Sequence, residues 1–254
     1  MIVDFCFSLG GSCSSAIQLK RRGLRAASLP FDWVLQGRED VFAAALEVVR
    51  NGGEGWLAFE NLERLAKCHA GAGLGKFQYR DRATGFEFLH DFHCDVLAEE
   101  NRRFYDDVVE VYRRRFARLT DWLSSAETVL LVLDSDSKFS TDDLLKLKSG
   151  WEAAFPSVRF SLFAVLFGQE AEEVAEAEDL TVRRVWRRKH RYDNDETAPE
   201  WDFLDEVSLS GRFKGEGAPA GTTRRMPLLC RALRVMFLAS RKFLRQAGWL
   251  ASVE

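Results

Sequence analysis

Two apolar runs, TVLLVL at residues 128–133 and the stretch 158–167, broken only by Arg159 and Ser161, constrain this chain more than anything else in it. A strand with one wet face alternates apolar and polar side chains. An unbroken apolar strand must be covered on both faces, as in a parallel sheet with helices on either side. Between the runs, Ser140-Thr141-Asp142-Asp143 reads as a helix start and Phe155-Pro156 as its end. Residues 180–186 supply a further strand, and this order argues for an α/β fold with a central, mostly parallel sheet flanked by helices. At 254 residues, 46% apolar and 30% charged, the chain suits a single globular domain over 1–254.

Other segments are read more coarsely. Residues 40–50 predict a helix with Val41, Ala45, Val48 and Val49 inward, ended by Asn51-Gly52-Gly53. Residues 29–33 are irregular and fixed by Pro30, while 55–98 give no clear period. A long amphipathic helix is expected over 99–123, with Phe104, Val108, Val111, Leu119 and Trp122 on its apolar side, and a last helix over 227–246. The acidic segment 169–179 and the turn-rich segment 196–221 read as surface excursions.

Charge and composition remove several function classes. A net charge of −3 recruits neither nucleic acid nor an anionic membrane, and no apolar run approaches the ~20 residues of a membrane span. The N-terminus lacks the basic segment of a secretory signal. Five cysteines, odd in number and irregular in spacing, fit reduced thiols. These features predict a cytoplasmic protein; oligomeric state is not encoded in them.

The chemistry concentrates near the start. Residues 2–7 read as a short buried strand, Ser8-Leu9-Gly10-Gly11-Ser12-Cys13 as a glycine turn, and the following residues as a helix with Ala16 and Leu19 on one face. That places Cys13 at a helix N-terminus, where unpaired N–H groups and the dipole favour a thiolate. Gly10, Gly11, Ser12 and Ser14 would supply backbone N–H groups to an oxyanion. In an open parallel sheet such a turn lies at the carboxyl edge, together with Asp134 at the end of the 128–133 strand. A buried cysteine in a strand-to-helix corner is the plainer alternative.

A cysteine nucleophile needs a base and a group to orient it. Of four histidines, His90, in Leu89-His90-Asp91-Phe92 just before the long helix, is the first candidate. His93, three residues on, could share a helical face with it; His69 and His190 rank behind. The orienting carboxylate is Asp32, Asp91 or Asp134, and Asp32 lies between the aromatics Phe31 and Trp33, the latter a candidate substrate contact. Cys68-His69 with His90, His93 and Cys94 offers zinc-type ligands but no strong zinc spacing, so no metal is assigned. The basic residues around 183–191 and 224–245 read as solvated faces that could also cradle phosphate. With no GxGxxG or Walker pattern, no cofactor is implied.

The ordered set Ser8-Leu9-Gly10-x-x-Cys13-x-x-Ala16-x-x-Leu19-Lys20-Arg21, Leu24-Arg25, Ser28, Pro30-Phe31-Asp32-Trp33 and His90-Asp91-Phe92 resembles a mainly bacterial family of papain-like cysteine peptidases. Arg113-Arg114-Arg115-Phe116 leading to an apolar strand at 128–133 extends the likeness over about 1–135, and more weakly to about 170. The resemblance implies Cys13 as nucleophile and His90 as base, with Asp32 or Asp91 assisting. It also implies a papain-like α+β fold, in which the histidine lies on an antiparallel strand that follows the cysteine helix. Family members among surface-polysaccharide genes keep an acyl or other group transferase open.

Three readings therefore compete. The first is a cysteine-dependent hydrolase acting on a peptide, amide or other acyl substrate. The second is a non-catalytic binding protein in which the glycine turn holds a phosphorylated or nucleotide-linked ligand. The third is a zinc-containing interaction module.

Overall fold

A computed structural model describes residues 1–36, 41–65, 77–170, 173–177, 179–186 and 199–213. All lie in Met1–Ala218, the first of two units into which the chain divides. Eleven strands are present among these residues: β1 Ile2–Val3, β2 Phe5–Ser8, β3 Val34–Gln36, β4 Leu62–Arg64, β5 Phe77–Asp81, β6 Phe86–Phe92, β7 Thr128–Ser135, β8 Arg159–Leu166, β9 Glu173–Ala177, β10 Leu180–Arg184 and β11 Ser208–Leu209. The α-helices are α1 Cys13–Arg21, α2 Val41–Arg50, α3 Arg102–Ser125 and α4 Thr141–Ala154.

The α/β expectation is met in this coarse form. A five-stranded sheet runs in the order β2-β7-β8-β10-β9. Its first four strands pair in parallel, and β9 closes the edge antiparallel to β10. The two apolar runs are its centre, β7 and β8, and their burial explains their composition. Val129, Leu131 and Leu133 face one core with Phe5, Phe7, Phe160 and Leu162. Leu130 and Val132 face a second core with Cys6, Leu19, Phe163, Trp201 and Leu204. Each face is thus covered, and alternation would have left polar groups in one of them.

A single central sheet is not the whole architecture. Residues 34–92 build a second, four-stranded antiparallel sheet in the order β3-β6-β5-β4. The register pairs Val34 with Phe88 and Gln36 with Phe86, and a bulge interrupts β5 between Phe77 and Tyr79. Its inner face meets α3 through an aromatic cluster: Trp56 lies 5.1 Å from Phe86, 5.4 Å from Phe88 and 5.3 Å from Phe116, ring centre to ring centre. Edge-on pairs of this kind add to ordinary burial.

Two local expectations change. On α3 the buried stripe is Tyr105, Tyr112, Phe116, Leu119, Trp122 and Leu123, and Phe104 is 40% exposed. The tyrosines turn inward because their hydroxyls find acceptors there, Tyr105 at the Leu57 carbonyl oxygen, 2.7 Å. The acidic stretch before 180 contains a paired edge strand, β9, exposed along nearly its whole length. The 227–246 helix and the glycine-rich turn at 71–75 lie outside the described residues.

Candidate active site

The turn after β2 is built to a tolerance that excludes any side chain. Gly11 has φ +96°, and a Cβ there would sit 1.7 Å from the Asp134 carbonyl oxygen at the end of β7. Gly10 has φ +88°, and its Cβ would meet Phe86 of β6 at 3.2 Å, Val34 of β3 at 3.4 Å and the Phe31 carbonyl oxygen at 3.8 Å. Glycine is the residue that reaches these angles without strain and lets backbones approach so closely. The turn therefore touches both sheets at once: Gly11 the parallel one, Gly10 the antiparallel one.

From this turn α1 starts at Cys13. Ser12 is its N-cap in extended conformation, and its Oγ accepts the Ser14 N–H at 3.0 Å. The Ser12 hydroxyl donates in turn to Asp134 Oδ2 at 2.8 Å. Beneath, Ser8 and Ser15 hydroxyls share a 2.5 Å hydrogen bond and Ser8 Oγ accepts the Gly10 N–H at 3.0 Å. Cys13 thus occupies the first helical position, half-buried, where the helix end favours an anion. The N–H groups of Gly10 and Ser14 are committed inside the turn. Burial pushes the Cys6 thiol on β2 far above its ordinary value.

His90 lies within β6, half-buried, between Phe88 and Phe92, whose rings pack 6.4 Å apart. His93 follows the strand and is exposed. The expected shared helical face for His90 and His93 is therefore replaced by a strand and the bend after it. The run FEFLHDF carries phenylalanines at alternate positions, a strand period that sets His90 in the sheet rather than on α3. His69 and Cys68 lie outside the described residues, as does His190. No group of three or more His, Cys, Asp or Glu is placed to hold a metal among the described residues.

Asp32 sits in the Pro30-Phe31-Asp32-Trp33 loop, 1% exposed. Its Oδ2 accepts Arg25 Nε at 2.7 Å and the Leu29 N–H at 2.9 Å. Burial pushes its carboxyl above the usual range, and the Arg25 guanidinium and the Leu29 amide pull against that. Arg25 also donates to Ser28 Oγ at 2.6 Å and lies 5.1 Å over the Trp33 ring. Asp32 precedes the start of β3 by two residues in a turn, and His90 follows Phe88, the β6 partner of Val34, by two. Asp91 accepts the Tyr112 hydroxyl at 3.2 Å from α3.

Glycine turn, Pro-Phe-Asp-Trp loop and the start of β6 thus converge on Gly10. A family model described as "Putative papain-like cysteine peptidase (DUF1796)" matches residues 4–170. The chain belongs to this family. The matched segment runs from β2 through β8 and contains Cys13, Asp32, His90, Asp91 and Asp134. Among curated proteins, "Uncharacterized protein R408" of Acanthamoeba polyphaga mimivirus is 30% identical over 156 residues, covering 55% of this chain and 68% of that protein. This relative is viral, and nothing in the matches supports the expectation of a mainly bacterial family. No solved structure matches the chain.

Sequence reasoning missed Tyr112, Arg25 and the Ser12–Asp134 bond. Tyr112 was legible only as the polar member of an aromatic series, Tyr105, Tyr112 and Phe116, with the seven- and four-residue steps of one helix face. No helix among the described residues is long and apolar enough to cross a membrane.

Proposed function

We propose that this protein is a cysteine-dependent hydrolase of peptide or other amide bonds, acting through an acyl-cysteine intermediate. The observation that carries the reading is Cys13 at the first position of α1, on a turn that packs against both sheets. His90 takes the thiol proton, and the Cys13 thiolate attacks the amide carbonyl carbon. The carbonyl oxygen becomes an oxyanion, stabilised at the positive N-terminal end of α1. Collapse breaks the C–N bond, and His90 returns the proton to the leaving amine. Water then attacks the thioester with His90 as base, the acid departs and the thiol is restored.

Asp32 is the carboxylate that suits the orienting role. Successive strand residues project to opposite faces, which turns Asp91 away from the imidazole before it on β6. Asp32 comes from the neighbouring segment and is already fixed by Arg25 and the Leu29 amide. Trp33 stands beside it as a substrate contact.

The test is hydrolysis of a mixed peptide library in ¹⁸O water, with products read by mass spectrometry. The native chain should create new carboxyl termini carrying ¹⁸O, while Cys13→Ala and His90→Ala create none. Cleavage that persists in Cys13→Ala would remove the nucleophile, and products lacking ¹⁸O would move the reading to group transfer.

A further inference from the structure

The overall charge of the chain hides a segregation. All but one of its 39 acidic residues lie before Pro219, while seven of its 36 basic residues, Arg224 to Arg245, follow it. From Pro219 to Val253 there is no Asp or Glu. Pro219–Glu254 is also the second of the two units into which the chain divides. The first unit is acidic and the second strongly basic, so the exclusion of an anionic membrane by net charge applies to the first unit alone.

These residues lie outside the described ones, but their sequence has a clear period. At about 100° per residue, Arg231, Arg234, Arg241, Lys242 and Arg245 fall within about 100° of a helical circumference. Leu229, Leu233, Met236, Phe237, Phe243 and Leu244 fall within about 120° on the opposite side. Over 228–246, Leu238 is the one large apolar residue inside the basic arc. Pro227 suits the first position of a helix and Gly248 the residue past its end, in keeping with the helix expected over 227–246.

A chain of fewer than about 40 residues seldom builds a core of its own, so the apolar arc needs a cover. A second copy would bring the same positive charge to the contact. Nucleic acid would satisfy the basic arc and leave Phe237 and Phe243 in water. A protein groove would take the apolar arc but does not call for a polar face free of carboxylates. Helix α3, which packs on the core of the first unit, carries Asp106, Asp107, Glu110 and Asp121 among its arginines. An anionic bilayer answers both arcs at once. A helix lying in the interface sinks its apolar side among the acyl chains and holds its Lys and Arg heads at the phosphates. Arg241 and Lys242 stand at the two borders of the basic arc, where long stems reach up to the headgroups.

We infer that residues 227–246 form an amphipathic helix that lies along an anionic lipid surface and holds the protein there without crossing the bilayer. The inference is independent of the hydrolase reading.

The test sediments the full chain with vesicles of phosphatidylcholine and with vesicles of phosphatidylcholine mixed with phosphatidylglycerol. Binding should be confined to the mixed vesicles, and about 0.5 M salt should weaken it strongly by screening. Each basic group at such a surface strengthens binding about fivefold, so the triple variant Arg234→Gln, Arg241→Gln, Arg245→Gln should bind on the order of a hundredfold more weakly. Leu233→Ser with Phe237→Ser keeps every charge and should also release the protein from the vesicles. The iodoacetamide rate at Cys13, measured without lipid, should match that of the native chain in each variant and so report an intact first unit. Equal binding to both kinds of vesicle, or none to either, would overturn the inference without recourse to any variant. Undiminished binding by the Leu233→Ser, Phe237→Ser pair would overturn it too, because the contact would then be that of a polycation with any polyanion.

Discussion

The parallel sheet and the antiparallel sheet divide the proposed chemistry between them. The parallel half supplies the nucleophile, with Cys13 on the turn after β2 and Asp134 at the end of β7 bracing Ser12. The antiparallel half supplies the base, with His90 on β6 and Asp32 just ahead of β3. The nucleophile depends on backbone geometry, a helix terminus and two glycines at positive φ. The base depends on side-chain register in a sheet joined to α3 by aromatic contacts. Damage to the first half should appear as lost folding, and damage to the second as lost reactivity in a folded chain.

The largest effect should come from Gly11→Ala. Its Cβ would overlap the Asp134 carbonyl oxygen, and two backbones cannot move apart without opening the β2–β7 edge. We expect a loss of at least about 4 kcal/mol, or no soluble protein. Gly10→Ala meets a side chain first and should cost about 1–3 kcal/mol. Equal unfolding midpoints in urea for the two variants would contradict this description of the turn.

Asp4 tests the parallel half from its other end. It accepts the N–H groups of Glu127 and Thr128 at 2.8 and 3.2 Å and the Ser210 hydroxyl at 2.8 Å, tying β2 to β7 and the β11 end. Burial works to raise its carboxyl, but these bonds and Arg212 outweigh it and hold the group below its usual value. The stability it contributes is therefore present above the unfolded value of about 4 and lost as pH falls through the lower folded value. Asp4→Ala should cost about 2–4 kcal/mol at pH 7. The penalty should shrink as pH falls through that lower folded value, as measured by denaturant titration at each pH. A penalty independent of pH would show that shape rather than charge matters at Asp4.

How much of this was legible beforehand follows the same division. The parallel half could be read because burial on both faces writes itself as near-continuous apolar runs, and because Gly10-Gly11-Ser12-Cys13 joins a strand to a helix. The antiparallel half could not be read from periodicity. β4 has three residues and β5 carries a bulge. In β6 the buried Glu87 is paired with Arg80, so a charged residue stands where a sequence pattern expects a wet face. His90 was singled out by its motif and by elimination among four histidines, but it lies on a strand rather than on a helical face shared with His93. Phe104 was taken for core because it is the more apolar neighbour of Tyr105, whose hydroxyl bond to Leu57 decides the face.

Smaller effects separate the halves further. Ser12→Ala removes the N-cap and the bond to Asp134 and should cost about 1 kcal/mol, with a several-fold fall in Cys13 alkylation at neutral pH. Tyr112→Phe removes the hydroxyl from Asp91 at a similar cost of about 1 kcal/mol. With Asp32 as the orienting carboxylate, it should leave the pH dependence of Cys13 alkylation unchanged. A shifted profile in Tyr112→Phe would assign the orienting role to Asp91 instead of Asp32.

The most direct measurement of the central claim is the pH dependence of iodoacetamide alkylation at Cys13, with Cys6 and Cys94 as internal references, in the native chain and in His90→Ala. The account predicts that Cys13 reacts fastest, with an apparent pKa well below the ~8.5 of a free thiol, that buried Cys6 scarcely reacts, and that His90→Ala removes the advantage of Cys13. A Cys13 that titrates like Cys94 and is indifferent to His90 would contradict it.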